Sequence, residues 1–576
     1  MNPITPITGT ATGAEVFLSA LSAHGVDYVF GNAGTDFPPI IEAFSNAGAS
    51  GRTMPLPVTV PHENVAVCMA QGVYLVTGRV QAVILHVNVG TANAICGLIN
   101  AGRERTPVFL AAGRTPVLED GLPGSRTAFI HWGQEMFDQA GMLREIVKWD
   151  YELRYPDQAA LAVDRALSIA MSEPKGPIYM TLPREVLAGE ASENAPAPMT
   201  PPSPPSMPDP QAMQTAAAML AEAKRPLLIC ASLGKTADEV SALAAFAEAQ
   251  GVAVVPYRTR YMALPNAHPC HVGFDVTPQI GDADLVIVAE CDVPWIPAHH
   301  KLADGAKVLH LGIDPLFSRY PIRTFPVDAS VAGDPATILT ALATAPTTES
   351  VLAERRDRLQ AKQEKKRAAL AAKAPKGGAG PSSNAWIAKC LADVQRPTDT
   401  IVVETPFPIV HMKFSEPTTF FSTPSAGGLG WGLGTSLGIK LGAPDRRVIA
   451  VVGDGSYMFG NPTPAHFVSR AMDLPTLTIV CNNRMWAAVR RATLGVYPDG
   501  AAAQSNHAPL TYLEPSPDYE KVVEASGGYG EKVENADDLP AALARALAVI
   551  ETEGRPTVLN VITAYSDDEA RTDART

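Results

Sequence analysis

The chain is poor in cysteine, in basic charge and in long apolar runs, and each shortage closes off a class of explanation. Its seven cysteines (Cys68, Cys96, Cys230, Cys270, Cys291, Cys390 and Cys481) are scattered through 576 residues, with no CxxC and no His/Cys cluster of metal-ligand spacing. A disulfide-stapled scaffold and a zinc ribbon are thereby excluded, and reduced thiols in a reducing compartment are expected. The formal net charge of -13 argues against a nucleic-acid partner, which would need a basic surface. No uninterrupted apolar run reaches spanning length, and Met1-Asn2-Pro3-Ile4-Thr5 has no basic segment ahead of an apolar one. Neither a membrane span nor a signal peptide is expected, and the reading is a cytoplasmic protein.

With 46% hydrophobic residues, a chain of this length can bury several cores, and three domains of ordinary size are the natural expectation. Two breaks divide it. Residues 193–210 are proline-rich and should be extended. Residues 346–382 begin as a charged helical stretch, Arg355 to Lys373, and end in Pro375-Lys376-Gly377-Gly378; the charges read as a solvated helix face. The segments between, 1–192, 211–345 and 383–576, each alternate short Val/Ile/Leu runs with alanine-rich helical patterns. That alternation predicts α/β folding with three doubly wound parallel-sheet domains. Expected strands include Val80 to Val87 and Val108 to Ala112 in the first segment. Leu227 to Ile229, Ala253 to Val255, Leu285 to Val288 and Val308 to Leu311 follow in the second. The third has Ile401 to Val403, Val448 to Val452 and Leu477 to Val480.

The most informative stretch is Gly453-Asp454-Gly455-Ser456, followed after a gap by Asn482-Asn483. An acid and an amide carbonyl at the ends of neighbouring parallel strands suit a hard divalent cation, especially one holding a diphosphate. Glycines beside Asp454 let the backbone approach phosphate oxygens. The first segment carries Gly31-Asn32-Ala33-Gly34-Thr35-Asp36, then Pro61-His62-Glu63-Asn64 ahead of a helical run, then Leu85-His86-Val87-Asn88-Val89-Gly90-Thr91-Ala92-Asn93. The third adds Ala426-Gly427-Gly428-Leu429-Gly430-Trp431-Gly432 ahead of the acidic turn.

In this order the motifs resemble the thiamine-diphosphate-dependent enzymes, in particular the acetolactate synthase and benzoylformate decarboxylase group, over nearly the whole chain. The resemblance implies a pyrimidine-binding domain, a middle domain and a diphosphate-binding domain. It implies that Glu63 hydrogen-bonds the aminopyrimidine from an apolar pocket and so promotes a C2 ylid, with an enamine following decarboxylation. Gly427 would offer a carbonyl to the same ring, and Leu429 would support the cofactor's bent shape. Asp454, Asn483 and the Met485 carbonyl would hold Mg²⁺, with Gly455 and Ser456 on the diphosphate and Thr405 keeping a hydroxyl near it. His86, Thr35 and Gln134 match substrate-side positions, while Trp486 and Arg490 sit where relatives vary.

The implied reaction is decarboxylation of a small 2-oxo acid, with or without ligation to an aldehyde or keto acid. It would take place in a homodimer at least, and a homotetramer by the family's habit. A 2-hydroxyacyl-CoA lyase or oxalyl-CoA decarboxylase is the enzymatic alternative, though the acidic tail from Ser566 gives it little support. A non-catalytic relative keeping the fold is the other. The turn Ala231-Ser232-Leu233-Gly234-Lys235 is less glycine-rich than in flavin-binding relatives. Bound FAD is therefore doubtful, and whether any nucleotide sits in the middle domain is left open. Asp314, at a strand end, reads as a helix cap rather than a ribose ligand.

Overall fold

The computed structural model describes residues 11–192 and 199–564. Internal contacts divide the chain into two compact units, Met1–Ser203 with Thr423–Thr576, and Pro204–Ser422. Parallel sheets run through both, as the uninterrupted apolar strands require, since a strand covered on both faces has no side left for polar residues.

In the first unit the N-terminal sheet runs Leu56–Thr59, Tyr28–Asn32, Ala82–Leu85, Phe109–Arg114, Ile178–Pro183, Asp150–Glu152, every neighbour parallel. The C-terminal part of the same unit places Val448–Gly453, Leu477–Asn482, Thr557–Ile562 and Tyr529–Val533 side by side, again parallel. Expected strands are found with small shifts at their ends. Val80 to Val87 shortens to Ala82–Leu85 because Val87 already starts a helix, and Val108 to Ala112 becomes Phe109–Arg114.

Three helices of this unit position the site: α1 (Glu63–Thr77), α2 (Val87–Arg103) and α3 (Trp431–Gly442). The first and third lie against each other through glycine. Gly434, Gly438 and Gly442 recur every four residues, which puts them on one helix face. A Cβ on Gly438 would sit 2.1 Å from the Met69 carbonyl oxygen, and one on Gly72 of α1 would sit 2.2 Å from that of Thr435. Contacts advance together, Gly434 against Cys68 and Gly442 against Val73, so the two helices run parallel. Their apolar residues, including Val65, Met69, Val73, Leu433 and Leu437, belong to one core cluster.

The second unit holds a five-stranded parallel sheet ordered Ala253–Pro256, Pro226–Cys230, Leu285–Ala289, Lys307–Gly312, Ala329–Ala332. It also contains the parallel pair Thr400–Glu404 and Phe420–Ser422. Residues 199–209 form no helix or strand, and the next helix starts at Pro210, capped by Asp209; residues 193–198 lie outside the described residues.

Two expectations are corrected here. The charged stretch forms the helix Glu349–Ala372, but its basic face is not simply solvated. Arg355 is buried, and its guanidinium donates to the carbonyl oxygens of Leu220, Ala223 and Gln250. Lys366 likewise reaches the carbonyls of Asn266 (3.1 Å) and His271 (2.8 Å). These cations satisfy the carbonyls that helix ends and turns leave open. Asp314 caps no helix; it closes a turn by accepting from the Ser318 N–H at 2.8 Å.

Candidate functional site: two carboxylates at strand-to-helix turns

Glu63 is the first residue of α1, whose start is fixed when His62 Nδ1 accepts from the Asn64 N–H (3.2 Å). A carboxylate suits that place because the helix N-terminus is the positive end of its dipole. Oε1 accepts from Asn32 Nδ2 at 2.8 Å, at the end of a strand, and Oε2 from Asn93 Nδ2 at 3.1 Å, on α2. The apolar surroundings expected for Glu63 are supplied by Val65, Ala66 and Val67, all fully buried, but both oxygens rest on amide donors. Each oxygen retains capacity for one more hydrogen bond, to a ligand donor.

Beside it, His86 Nδ1 lies 2.5 Å from Asp36 Oδ1, and Gln134 Nε2 lies 3.0 Å from His86 Nε2. The hydrogen bond to Asp36 raises the His86 pKa above its ordinary value against the opposing effect of burial. His131 nearby moves the other way, lowered by burial and by Arg184. Arg184 ties this wall together, donating to the carbonyls of Gly124 (2.7 Å), Thr35 (3.0 Å) and Ser125 (2.5 Å).

The Gly427–Gly430 turn is built on left-handed backbone, φ +66° at Gly427 and +88° at Gly430, a region open to glycine at little cost. It lies on α2: Asn100 Nδ2 donates to the Gly428 carbonyl (2.8 Å) and Asn100 Oδ1 accepts from its N–H (3.1 Å). Glu104 accepts from the Ser425 N–H at 2.7 Å. Leu429, next along, is half-buried.

Strand register sets Gly453 opposite Cys481, so Asp454 and Asn483 leave adjacent strand ends together. Asp454 is 3% exposed. Its Oδ1 accepts from the Gly455 N–H (2.9 Å) and its Oδ2 from the Arg484 N–H (2.7 Å), while Asn483 Oδ1 accepts from the Met485 N–H (3.1 Å). Burial pushes the Asp454 carboxyl up to about 6, and the leading opposing influences are backbone N–H groups rather than a cation. A Cβ on Gly455 would lie 2.1 Å from the Trp486 ring, so the indole packs directly on that backbone.

Comparison with known proteins decides the family. Three thiamine pyrophosphate enzyme models match, the N-terminal TPP binding domain over residues 11–142, the central domain over 213–342 and the C-terminal TPP binding domain over 407–561. The chain belongs to the thiamine pyrophosphate enzymes. It is 26% identical to the sulfoacetaldehyde acetyltransferase of Alcaligenes xylosoxydans, covering 98% of this chain and 95% of that one. It is 24% identical to the acetolactate synthase large subunit of Haemophilus influenzae (93% and 92% covered). Benzoylformate decarboxylase of Pseudomonas aeruginosa is 26% identical (82% and 85%). In fold it is similar to the Rhodococcus jostii 4-hydroxybenzoylformate decarboxylase, with TM-score 0.78 at 22% identity over 96% of this chain and 99% of that one.

As a thiamine pyrophosphate enzyme, the chain groups its sequence-marked residues into two clusters of the first unit. Glu63, His86 and Gln134 gather around Asn32, Asp36 and Asn93, while Asp454, Gly455, Ser456, Asn483 and Met485 gather at the paired strand ends. Thr35 is exposed, and the residue that reaches His86 is its neighbour Asp36. Asn32, Asn93 and Asp36 stood inside the quoted motifs without a role, and only the fold brings them to their partners. Thr405 belongs to the second unit, half-buried just after Thr400–Glu404. In that unit the N–H groups of Gly234 and Lys235 both donate to Glu239 Oε2 (2.9 and 3.0 Å), so the chain's own carboxylate occupies the turn considered for a nucleotide.

Proposed function

We propose that this thiamine pyrophosphate enzyme uses thiamine diphosphate and Mg²⁺ to decarboxylate a small 2-oxo acid, the acyl unit then taking up a proton or an aldehyde or keto acid acceptor. The observation that carries the reading is Asp454, a buried carboxylate held by the N–H groups of Gly455 and Arg484, at a strand end adjacent to the one that Asn483 follows, with the Asn483 amide oxygen accepting from the Met485 N–H. Oxygen donors from Asp454, Asn483 and the Met485 carbonyl would suit Mg²⁺ holding a diphosphate. Gly455 and Ser456 would meet the diphosphate, and Gly427, Leu429 and Glu63 the rest of the cofactor.

When bound, the cofactor supplies an electron sink for the pair released as CO₂ leaves. The chain's residues do the rest. Glu63, locked by Asn32 and Asn93, holds a carboxyl at one fixed place, where it can exchange a proton with a ring nitrogen. His86 and Gln134 stand where they can bind a substrate oxygen. Names among the relatives cover both decarboxylation and acetyl transfer, and both fates of the acyl unit are therefore part of the proposal. Assembly of at least two copies belongs to it too, supported by Phe129 and Phe137, which are almost fully exposed apolar side chains that another copy would cover.

The test is the full chain with thiamine diphosphate and Mg²⁺, given pyruvate, benzoylformate and branched 2-oxo acids, with and without aldehyde acceptors. Glu63→Gln is expected to keep cofactor binding, lose turnover and slow hydrogen–deuterium exchange at C2 of the bound cofactor. Fast exchange in Glu63→Gln would remove the role assigned to Glu63.

A further inference from the structure

His86 is held from three directions. Nδ1 faces Asp36 at 2.5 Å, Nε2 faces Gln134 at 3.0 Å, and the backbone runs directly into Val87. Val87 has φ +31°, a conformation that β-branched residues avoid and that persists where the surroundings enforce it. Its N–H donates to the second oxygen of Asp36 at 3.3 Å. Asp36 is buried, and two glycines make room for the pair. A Cβ on Gly113 would lie 1.6 Å from Asp36 Oδ2, and one on Gly34 would lie 2.1 Å from His86 Nδ1. A strained valine and two positions without side chains all serve one contact.

A carboxylate only accepts, so the shared hydrogen sits on Nδ1. Nε2 is then an acceptor in the neutral ring and a donor in the imidazolium. Gln134 can meet either form: its NH₂ donates to the neutral ring, and its Oε1, buried and without a partner, would accept from the charged one after the amide turns over.

We propose that Asp36 is a positioning residue for the reaction, fixing His86 with Nδ1 protonated so that Nε2 is the atom that exchanges a proton with the substrate oxygen. In the forward step the Nε2–H bond breaks and an O–H bond forms on the substrate carbonyl oxygen as it gains negative charge. The ring is left neutral, with Nδ1–H still on Asp36 and Gln134 NH₂ turned to the vacated lone pair. This inference rests on the proposed function.

The charged and titratable groups facing His86 are Asp36, Glu63 at the start of α1 and His131 on the short helix that precedes Gln134, with Arg126 and Arg184 behind His131. Asp36 and Glu63 favour the imidazolium of His86, while burial and Arg184 push the His131 pKa down. The raised folded-state value means that His86 stays protonated as pH passes its ordinary 6.5 and loses the proton only above that.

The experiment follows C2-proton exchange of His86 against pH by peptide mass spectrometry, on the full chain and on Asp36→Asn. The expected result is a wild-type midpoint above 6.5 that falls by about one unit in Asp36→Asn. In the decarboxylation assay, the same variant should lose about tenfold in kcat near pH 7.5 with unchanged cofactor affinity. An unchanged midpoint in Asp36→Asn overturns the proposal. If that variant does not fold, a wild-type midpoint at or below 6.5 overturns it alone. The exchange readout needs neither substrate nor cofactor, so it stands apart from failure of the proposed function, which would show as absence of thiamine diphosphate binding.

Discussion

Replacing Gly438 with alanine tests whether the close contact of α1 and α3 holds the functional turn in place. The new Cβ would lie 2.1 Å from the Met69 carbonyl oxygen and 2.9 Å from its Cα. Backbone cannot swing aside as a side-chain tip can, so the helices must part by about 1 Å, and a gap of that size forfeits about a quarter to a half of each van der Waals contact. Met69, Val73, Leu433 and Leu437 are buried in the shared core. At about 1.5–3 kcal/mol for each buried side chain, losing a quarter of four such contributions costs roughly 1.5–3 kcal/mol. Strain adds to this, while the better helix propensity of alanine offsets about 1 kcal/mol, leaving a net loss of roughly 2 kcal/mol. Gly48, in the helix Pro38–Ser50, is the control, because a Cβ there meets nothing within 4 Å. Gly48→Ala should gain up to about 1 kcal/mol. Thermal unfolding and thiamine diphosphate affinity are the readouts. Gly438→Ala should melt several degrees lower and bind the cofactor more weakly, because α3 begins directly after the Gly427–Gly430 turn. Equal stability of the two variants would refute the packing argument.

Asp454→Ala should abolish the rise in melting temperature that Mg²⁺ and thiamine diphosphate together produce. It should change the cofactor-free melt little, since it removes a buried charge along with two accepted hydrogen bonds; retention of the cofactor-induced rise would contradict the assignment. Arg355→Met removes the donor to three carbonyls, those of Leu220, Ala223 and Gln250, and should cost at least about 3 kcal/mol at about 1 kcal/mol or more for each buried acceptor left unpaired. Hydrogen exchange should rise in the helices Pro210–Glu222 and Ala237–Gln250, and unchanged protection there would show that the guanidinium is not what caps them.

The parallel sheets were legible because doubly covered strands leave a continuous apolar signature, as in Val448 to Val452. Asp454 was legible because its strand-to-helix turn brackets a carboxylate with Gly453 and Gly455, whereas Glu63, with no glycine beside it, was legible only through the resemblance of its motif. What escaped was anything set by distance along the chain. Asn32 and Asn93 lie 31 and 30 residues from the Glu63 they hold, and Asp36 lies 50 from His86; no local pattern pairs them. Arg355 looked like one cation among many in a charged helix, and only its placement against the C-terminal ends of two other helices buries it. Gly434, Gly438 and Gly442 form a four-residue repeat that drew no reading from the sequence, because a repeat of glycine does not name the surface it meets.

Asp454 and Asn483 are proposed to build a metal-dependent diphosphate site in this chain. Calorimetric titration of the cofactor-free protein with thiamine diphosphate tests it most directly. Saturable binding in the presence of Mg²⁺ is predicted, lost on chelation and lost in Asp454→Ala. Binding that is indifferent to both the metal and Asp454, or no binding with Mg²⁺ present, would contradict it.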